Sequence, residues 1–264
     1  MKFSGLMYYL RSIPTLLGGV KSLGEVFKLA LSKRGSAPCV IRLRDGSLYK
    51  VNTLMDVWVL KETCLDQQYE RFGTPVENGW TVVDIGGGWG DFSIDVAKKN
   101  PGCRVIAFEP FEPSVELFKV NLALNDVSNV ALIPAAVGRQ TGKMRLSTAN
   151  TEAVQLSTAQ TATQSWQEVD SYSLEDVLQN FKIERCDLLK MDCEGGEYEI
   201  LFPTEPDSLK KIQRIVMETH DGVTSYMHTD LIRFLQESGY RVKYTENPVH
   251  PDLGMLYAER IQAA

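Results

Sequence analysis

Thr81-Val82-Val83-Asp84-Ile85-Gly86-Gly87-Gly88-Trp89-Gly90-Asp91 is the stretch that decides the fold. An apolar run with the length of a buried strand ends in a glycine cluster, and a helical pattern follows from Asp91 to Lys99. Such a strand-to-helix turn is where an open α/β sheet binds its ligand. Glycines suit it because a side chain would hold the backbone away from a ligand, and because tight turns use positive φ. A dinucleotide fingerprint would need glycines at positions 86, 88 and 91, but position 91 is Asp, where a pyrophosphate would meet the helix N-terminus. No Gly-Lys-Ser/Thr follows either. The turn therefore suits a zwitterionic amino-acid group, with Gly86, Gly88 and Gly90 shaping the loop and Asp84 accepting hydrogen bonds from an ammonium or from loop amides.

Outward from this turn, strand-like and helix-like segments alternate: Arg104 to Glu109, Pro113 to Asn125, Val130 to Ala136. Alternation of this kind predicts a parallel sheet covered on both faces. Glu109 ends the next strand, where an acid in such folds takes two ribose hydroxyls. Glycine turn and Glu109 together point to an adenosyl ligand without phosphates. Residues 139–171 are rich in Ser, Thr, Gln and Ala and read as an inserted mobile loop around a short strand at Lys143 to Leu146, with Trp166 available to close over a substrate. The last third gives a strand Asp187 to Asp192, a helix Tyr198 to Phe202, a strand Arg214 to Glu218, a helix Asp230 to Ser238, and a closing antiparallel pair, Tyr240 to Glu246 and Gly254 to Arg260. Before the glycine turn, Asp45-Gly46 marks a hairpin and residues 55–72 carry a helical pattern. Two parts are expected: an extension, residues 1–73, and a ligand-binding domain, residues 74–264.

Asp192 and Glu194 fall just past one strand, and Glu218 and His220 just past the next. Each pair has the i, i+2 spacing that points two side chains the same way from extended backbone. Carboxylates and an imidazole gathered there would remove the proton of a hydroxyl nucleophile, with His220 as general base and Asp192 or Glu194 orienting it. Asp192, Glu218 and His220 would alternatively hold a hard divalent cation such as Mg²⁺, which lowers the acceptor's pKa. His228 and His250 read as ordinary surface histidines.

The sequence resembles the FkbM family of S-adenosylmethionine-dependent methyltransferases over most of the segment from Leu43 to Val242. Val83-Asp84-Ile85-Gly86 with Gly90-Asp91-Phe92-Ser93, Ala107-Phe108-Glu109-Pro110, Asn129-Val130, Ala135-Ala136-Val137-Gly138, Asp187-Leu188-Leu189-Lys190-Met191-Asp192 with Glu194-Gly195, and Glu218-Thr219-His220 carry the resemblance. Gly87-Gly88-Trp89 departs from it, since members commonly place a small residue and Asn there. The resemblance implies a class I, Rossmann-like, seven-stranded sheet, mostly parallel with a C-terminal antiparallel hairpin. It also implies S-adenosylmethionine as cofactor, contacts to it at Pro110, Ala136 and Asp192, and methylation of oxygen on a sugar or other secondary metabolite. Tyr69 and Trp89 are expected to line the cofactor cleft. Two other readings stand beside it: a regulatory protein that binds the cofactor without turnover, and an NAD-dependent oxidoreductase, which Asp91 and the missing third glycine disfavour.

Composition sets the remaining expectations. The 264 residues are 44% hydrophobic and 23% charged with a net charge of −6, which argues against nucleic acid as partner. Five scattered cysteines without a C-x-x-C pair read as reduced thiols in the cytoplasm. Residues 1–34 hold six basic side chains and one acid among apolar residues. They are read first as a helical cap on the domain and second as a peripheral membrane contact. An oligomer is compatible with all of this.

Overall fold

Residues 12–31, 38–147 and 166–261 are described by the computed structural model. Strand β1 (Cys39–Arg42) and strand β2 (Leu48–Val51) form the expected hairpin, with Gly46 at φ +92° in its turn. Strands β3 (Thr81–Ile85), β4 (Arg104–Phe108) and β5 (Val130–Ile133) follow, then β6 (Ala136–Val137), β7 (Gly142–Ser147), β8 (Trp166–Tyr172), β9 (Leu188–Met191), β10 (Arg214–His220), β11 (Tyr240–Glu246) and β12 (Leu253–Arg260). The main sheet has seven strands in the order β11-β12-β10-β9-β3-β4-β5. Only β12 runs antiparallel to its neighbours, between β10 and β11.

From β3 the chain first builds outward through β4 and β5, then returns to add β9 on the other side of β3 and continue to β10. Loops leaving the C-terminal ends of β3 and β9 thus diverge, and the crevice between them is the ligand-binding position of such sheets. The continuous apolar character of these strands has its cause here: Val82, Val83, Ile85, Leu189 and Met191 are buried between helical layers.

Two expectations change. The segment read as a mobile loop over 139–171 contains, at its described ends, strands β7 and β8, which pair antiparallel from Gly142↔Ser171 to Ser147↔Trp166, while β6 pairs with β8. Leu146 and Val169, spaced for one buried face, form a small core with Ala136. The rest of that loop lies outside the described residues. The helical pattern of residues 55–72 is broken into helix Leu54–Leu60, a π turn Lys61–Leu65 and helix Gln68–Phe72. Gln67 takes the left-handed conformation at φ 52°, which turns the chain between the last two.

The extension shares its core with the sheet's helices. Ile41, Tyr49 and Val51 of the hairpin pack in one cluster with Ile94 and Phe118. Asn121 on helix Glu112–Leu124 and Asn125, the C-cap one turn further on, satisfy the free edge of β2. Asn121 Oδ1 accepts from the Lys50 amide at 2.7 Å and its Nδ2 donates to the Trp89 carbonyl at 3.1 Å, while Asn125 Nδ2 donates to the Leu48 carbonyl at 2.6 Å. Among the described residues, no helix is long and apolar enough to cross a membrane.

Candidate active site

Parallel pairing of β3 with β9 puts Ile85 opposite Met191, so the next residues, Gly86 and Asp192, meet where both strands end. The Asp192 amide donates to the Ile85 carbonyl at 3.0 Å. Gly86 is at φ +77°, and a Cβ there would lie 1.8 Å from the Asp192 carbonyl oxygen, which only glycine avoids. Gly90, at φ +93°, packs as tightly on Phe118. At Gly88 the nearest atom to a Cβ would be an Asp91 carboxylate oxygen 3.9 Å away, so this glycine, unlike the other two, has room for a Cβ and is constrained by its φ of +52° alone.

Asp84 is fully buried and does not face the crevice. Its Oδ2 accepts from Ser93 Oγ at 2.7 Å and its Oδ1 lies 3.0 Å from Lys190 Nζ. The ammonium it meets is thus the chain's own. Lys190 also donates to the Gly86 carbonyl at 2.9 Å, tying the glycine turn to β9. Burial opposes the lysine's charge, yet the surrounding Asp84, Asp192 and Asp91 outweigh it and raise its pKa.

Glu109 leaves β4 beside the turn, with Oε2 accepting from the Gly88 amide and Oε1 from the Phe111 amide, both at 2.8 Å. Burial pushes its carboxyl up to about 7 against the pull of those amides. Each oxygen keeps a lone pair for a hydroxyl, so the pair of donors fixes a carboxylate whose remaining capacity matches a ribose diol. Pro110 follows it, half-buried. Ala136 is elsewhere in kind: it is buried on β6 against Leu146 and Val169.

Tyr69 arrives from the N-terminal side, its hydroxyl donating to Asp192 Oδ2 at 2.9 Å and its ring edge-on to Phe92. Across from it, Asp192, Glu218 and His220 converge, offering ligand atoms within 4.8 Å of one another. Their convergence differs from the expected one in two respects. Glu218 and His220 are inside β10, which continues to residue 220, so they share a face by strand alternation. Glu194 is not extended: its φ of 54° is left-handed, an uncommon and strained state for a residue with a side chain. It brings Glu194 Oε2 to 3.5 Å from His220 Nε2.

The other imidazole nitrogen, Nδ1, is 3.1 Å from Glu197 Oε1, a fully buried carboxylate that also accepts from the Cys193 amide at 3.3 Å. Burial disfavours a charged imidazole, but the hydrogen bond and charge of Glu197, with Asp192 and Glu194, raise His220 to about 10. A pKa raised in this way favours the protonated imidazole, which donates toward Glu197 and Glu194, over the neutral form that a general base requires. Burial and the Asp192 charge push Glu194 to about 7 and Glu218 to about 8. Lys190 and Glu197 were not singled out in the sequence. The signals were a lysine inside an otherwise apolar strand and an acid three residues beyond Glu194. His228 is likewise no plain surface residue: its Nδ1 is 2.6 Å from Asp221 Oδ2 and its ring stacks on Tyr244 at 4.2 Å.

A seven-stranded sheet in this order, with a glycine turn and ribose-spaced acid at its switch point, defines a class I S-adenosylmethionine-dependent methyltransferase. The Methyltransferase FkbM domain signature matches residues 77–242, and the chain belongs to that family. Methyltransferase sdnD of Sordaria araneosa is 26% identical over 257 residues, covering 85% of this chain and 98% of that protein. The AMB antimetabolite synthetase AmbE of Pseudomonas aeruginosa is 26% identical over 255 residues, 77% of this chain and 12% of the synthetase. A solved S-adenosylmethionine-dependent methyltransferase from Agrobacterium tumefaciens shares the fold at a TM-score of 0.50 and 12% identity, over 87% of this chain and 72% of that one.

Proposed function

We propose that this methyltransferase acts on a hydroxyl oxygen of a small molecule, a sugar or another secondary-metabolite alcohol, and that Glu194 takes the proton. The observation that carries the reading is the strained backbone of Glu194, which aims a carboxylate at His220 beside the crevice. When bound, S-adenosylmethionine supplies a methyl group already activated by its sulfonium. The chain then has to hold cofactor and acceptor in line and keep water out. Glu109 and the Gly88 backbone hold the adenosyl end, and Tyr69 and Asp192 border the reacting end. His220, kept cationic by Glu197, fixes the Glu194 carboxylate, and as the acceptor's O–H bond is lost its proton passes to a Glu194 oxygen. A carboxylate displaced upward to about 7 is a better base than an ordinary one while remaining largely ionised above that pH.

A second reading rests on the convergence of Asp192, Glu218 and His220. Two carboxylates, joined by the imidazole once a cation displaces its proton, would hold a hard divalent ion such as Mg²⁺, which would act as a Lewis acid on the acceptor hydroxyl. In this reading residues 1–73 are an extension that supports the methyltransferase domain of residues 74–264, and the five free thiols favour a reducing, cytoplasmic setting.

The test is incubation with methyl-labelled S-adenosylmethionine and parallel panels of glycosides, other alcohols, amines and thiols, read by mass spectrometry. Label on a hydroxyl with wild type and its loss with Glu194→Gln is the expected result. Label found only on nitrogen, sulfur or carbon would overturn the O-methylation reading.

A further inference from the structure

Away from the active site, the extension concentrates positive charge and exposed apolar side chains on an otherwise acidic protein. The first 50 residues hold 9 of the 28 Lys and Arg but only 2 of the 34 Asp and Glu. Residues 12–19 are helical, with Ile13 (49% exposed) and Leu17 (53%) one turn apart. Helix Leu23–Leu31 repeats the device: Leu29 is buried, while Phe27 (65% exposed) and Leu31 (71%), again at i, i+4, stand in solvent. Between these helices and the hairpin, Lys21, Ser22, Val40, Arg42 and Leu48 line an open depression of about 390 Å³. The hairpin register puts Val40 opposite Lys50 and Arg42 opposite Leu48, so cations and apolar side chains alternate across its outer face. Among the described residues, no carboxylate is paired with Lys21, Arg42 or Lys50.

We propose that this face docks the enzyme on an anionic lipid bilayer, with Ile13, Leu17, Phe27 and Leu31 entering the interface and Lys21, Arg42 and Lys50 meeting lipid phosphates. Amphipathic surface elements bind membranes through both terms together, buried apolar area and attraction to anionic lipid. The alternatives leave one of them unused. A nucleic acid would engage the cations and strand four large apolar side chains in water, and a second copy bound through the same face would bring like charges together. The inference does not depend on which acceptor the active site takes.

Cosedimentation of the full chain with vesicles of phosphatidylcholine alone, or of phosphatidylcholine with phosphatidylglycerol, tests it. The expected result is binding to the anionic vesicles that weakens as salt is raised, with little binding to the neutral ones. Lys21→Glu/Arg42→Glu should weaken vesicle affinity about tenfold or more by removing two cations from the surface, and Phe27→Glu/Leu31→Glu should act in the same direction. Both variants should bind S-adenosylhomocysteine as wild type does, which shows that they are folded. Equal affinity for neutral and anionic vesicles, no vesicle binding, or wild-type vesicle binding by the folded variants would each overturn the proposal.

Discussion

Lys190 Nζ sits 3.0 Å from Asp84 Oδ1 with the two side chains 4% and 0% exposed, joining the strand before the glycine turn to the strand that carries Asp192. The lysine's second bond, to the Gly86 carbonyl, extends this tie to the turn itself. One buried cation thereby sets the relative position of the two loops that form the crevice. Replacing it by Met would leave Asp84 charged and unpaired in the core, a loss on the order of 3–5 kcal/mol. Urea denaturation of Lys190→Met checks this, and Asp84→Asn/Lys190→Met should recover a measurable part of the loss.

Gly86→Ala places a methyl group against the Asp192 carbonyl and adds a side chain at φ +77°. Neither backbone can give way without breaking the Ile85–Asp192 hydrogen bond. Destabilisation of roughly 2–4 kcal/mol is expected from strain of this kind, together with weakened cofactor binding. The same measurement on Gly46→Ala, in the open hairpin turn, should show a smaller cost because only the positive φ is at issue there.

The proposed contact of Glu109 with the cofactor predicts a pH dependence of binding. Its carboxyl is raised from 4.5 to about 7 in the free protein, so it is ionised above that pH and protonated below it. Only the ionised form offers both oxygens to two hydroxyl donors. Affinity for S-adenosylhomocysteine should therefore be full above pH 8 or so and fall as pH drops through 7, by at most about tenfold per pH unit for one proton. Glu109→Gln should remove this slope. The same shift has a stability counterpart: between pH 4.5 and about 7 the native state holds a proton that the unfolded chain has released, so Glu109 makes the free protein less stable as pH rises through that window.

Chelation separates the two readings of the acid cluster. With Glu194 as proton acceptor, turnover measured after EDTA treatment should stay within about twofold of the untreated rate, since no Lewis acid is required. A collapse that added Mg²⁺ restores would assign the chemistry to a cation at Asp192, Glu218 and His220.

The centre of the sheet was legible in the sequence because β3, β4 and β9 are buried on both faces and read as largely apolar runs, while β11 and β12 at its edge showed as an alternating pair. The glycine turn and Glu109 were legible because their spacing follows from the βαβ repeat. What stayed hidden depended on contacts between distant segments. Nothing near His220 in the chain announces that Glu197, on the helix after β9, holds its Nδ1, and that contact favours the protonated imidazole over the neutral base. The π turn at Lys61–Leu65 keeps the helical look of its sequence while changing where Tyr69 points. Strand β8 was masked by its polar composition, since only Val169 and Ser171 on it are buried.

Calorimetric titration of the wild-type chain and of Glu109→Ala with S-adenosylhomocysteine, with NAD in parallel, measures the central claim most directly. Saturable binding of S-adenosylhomocysteine alone, weakened about tenfold or more in the variant for the loss of two charge-assisted hydrogen bonds, is the predicted result. Equal affinity in the folded variant, or heat from NAD in place of S-adenosylhomocysteine, would contradict the placement of the cofactor at this turn.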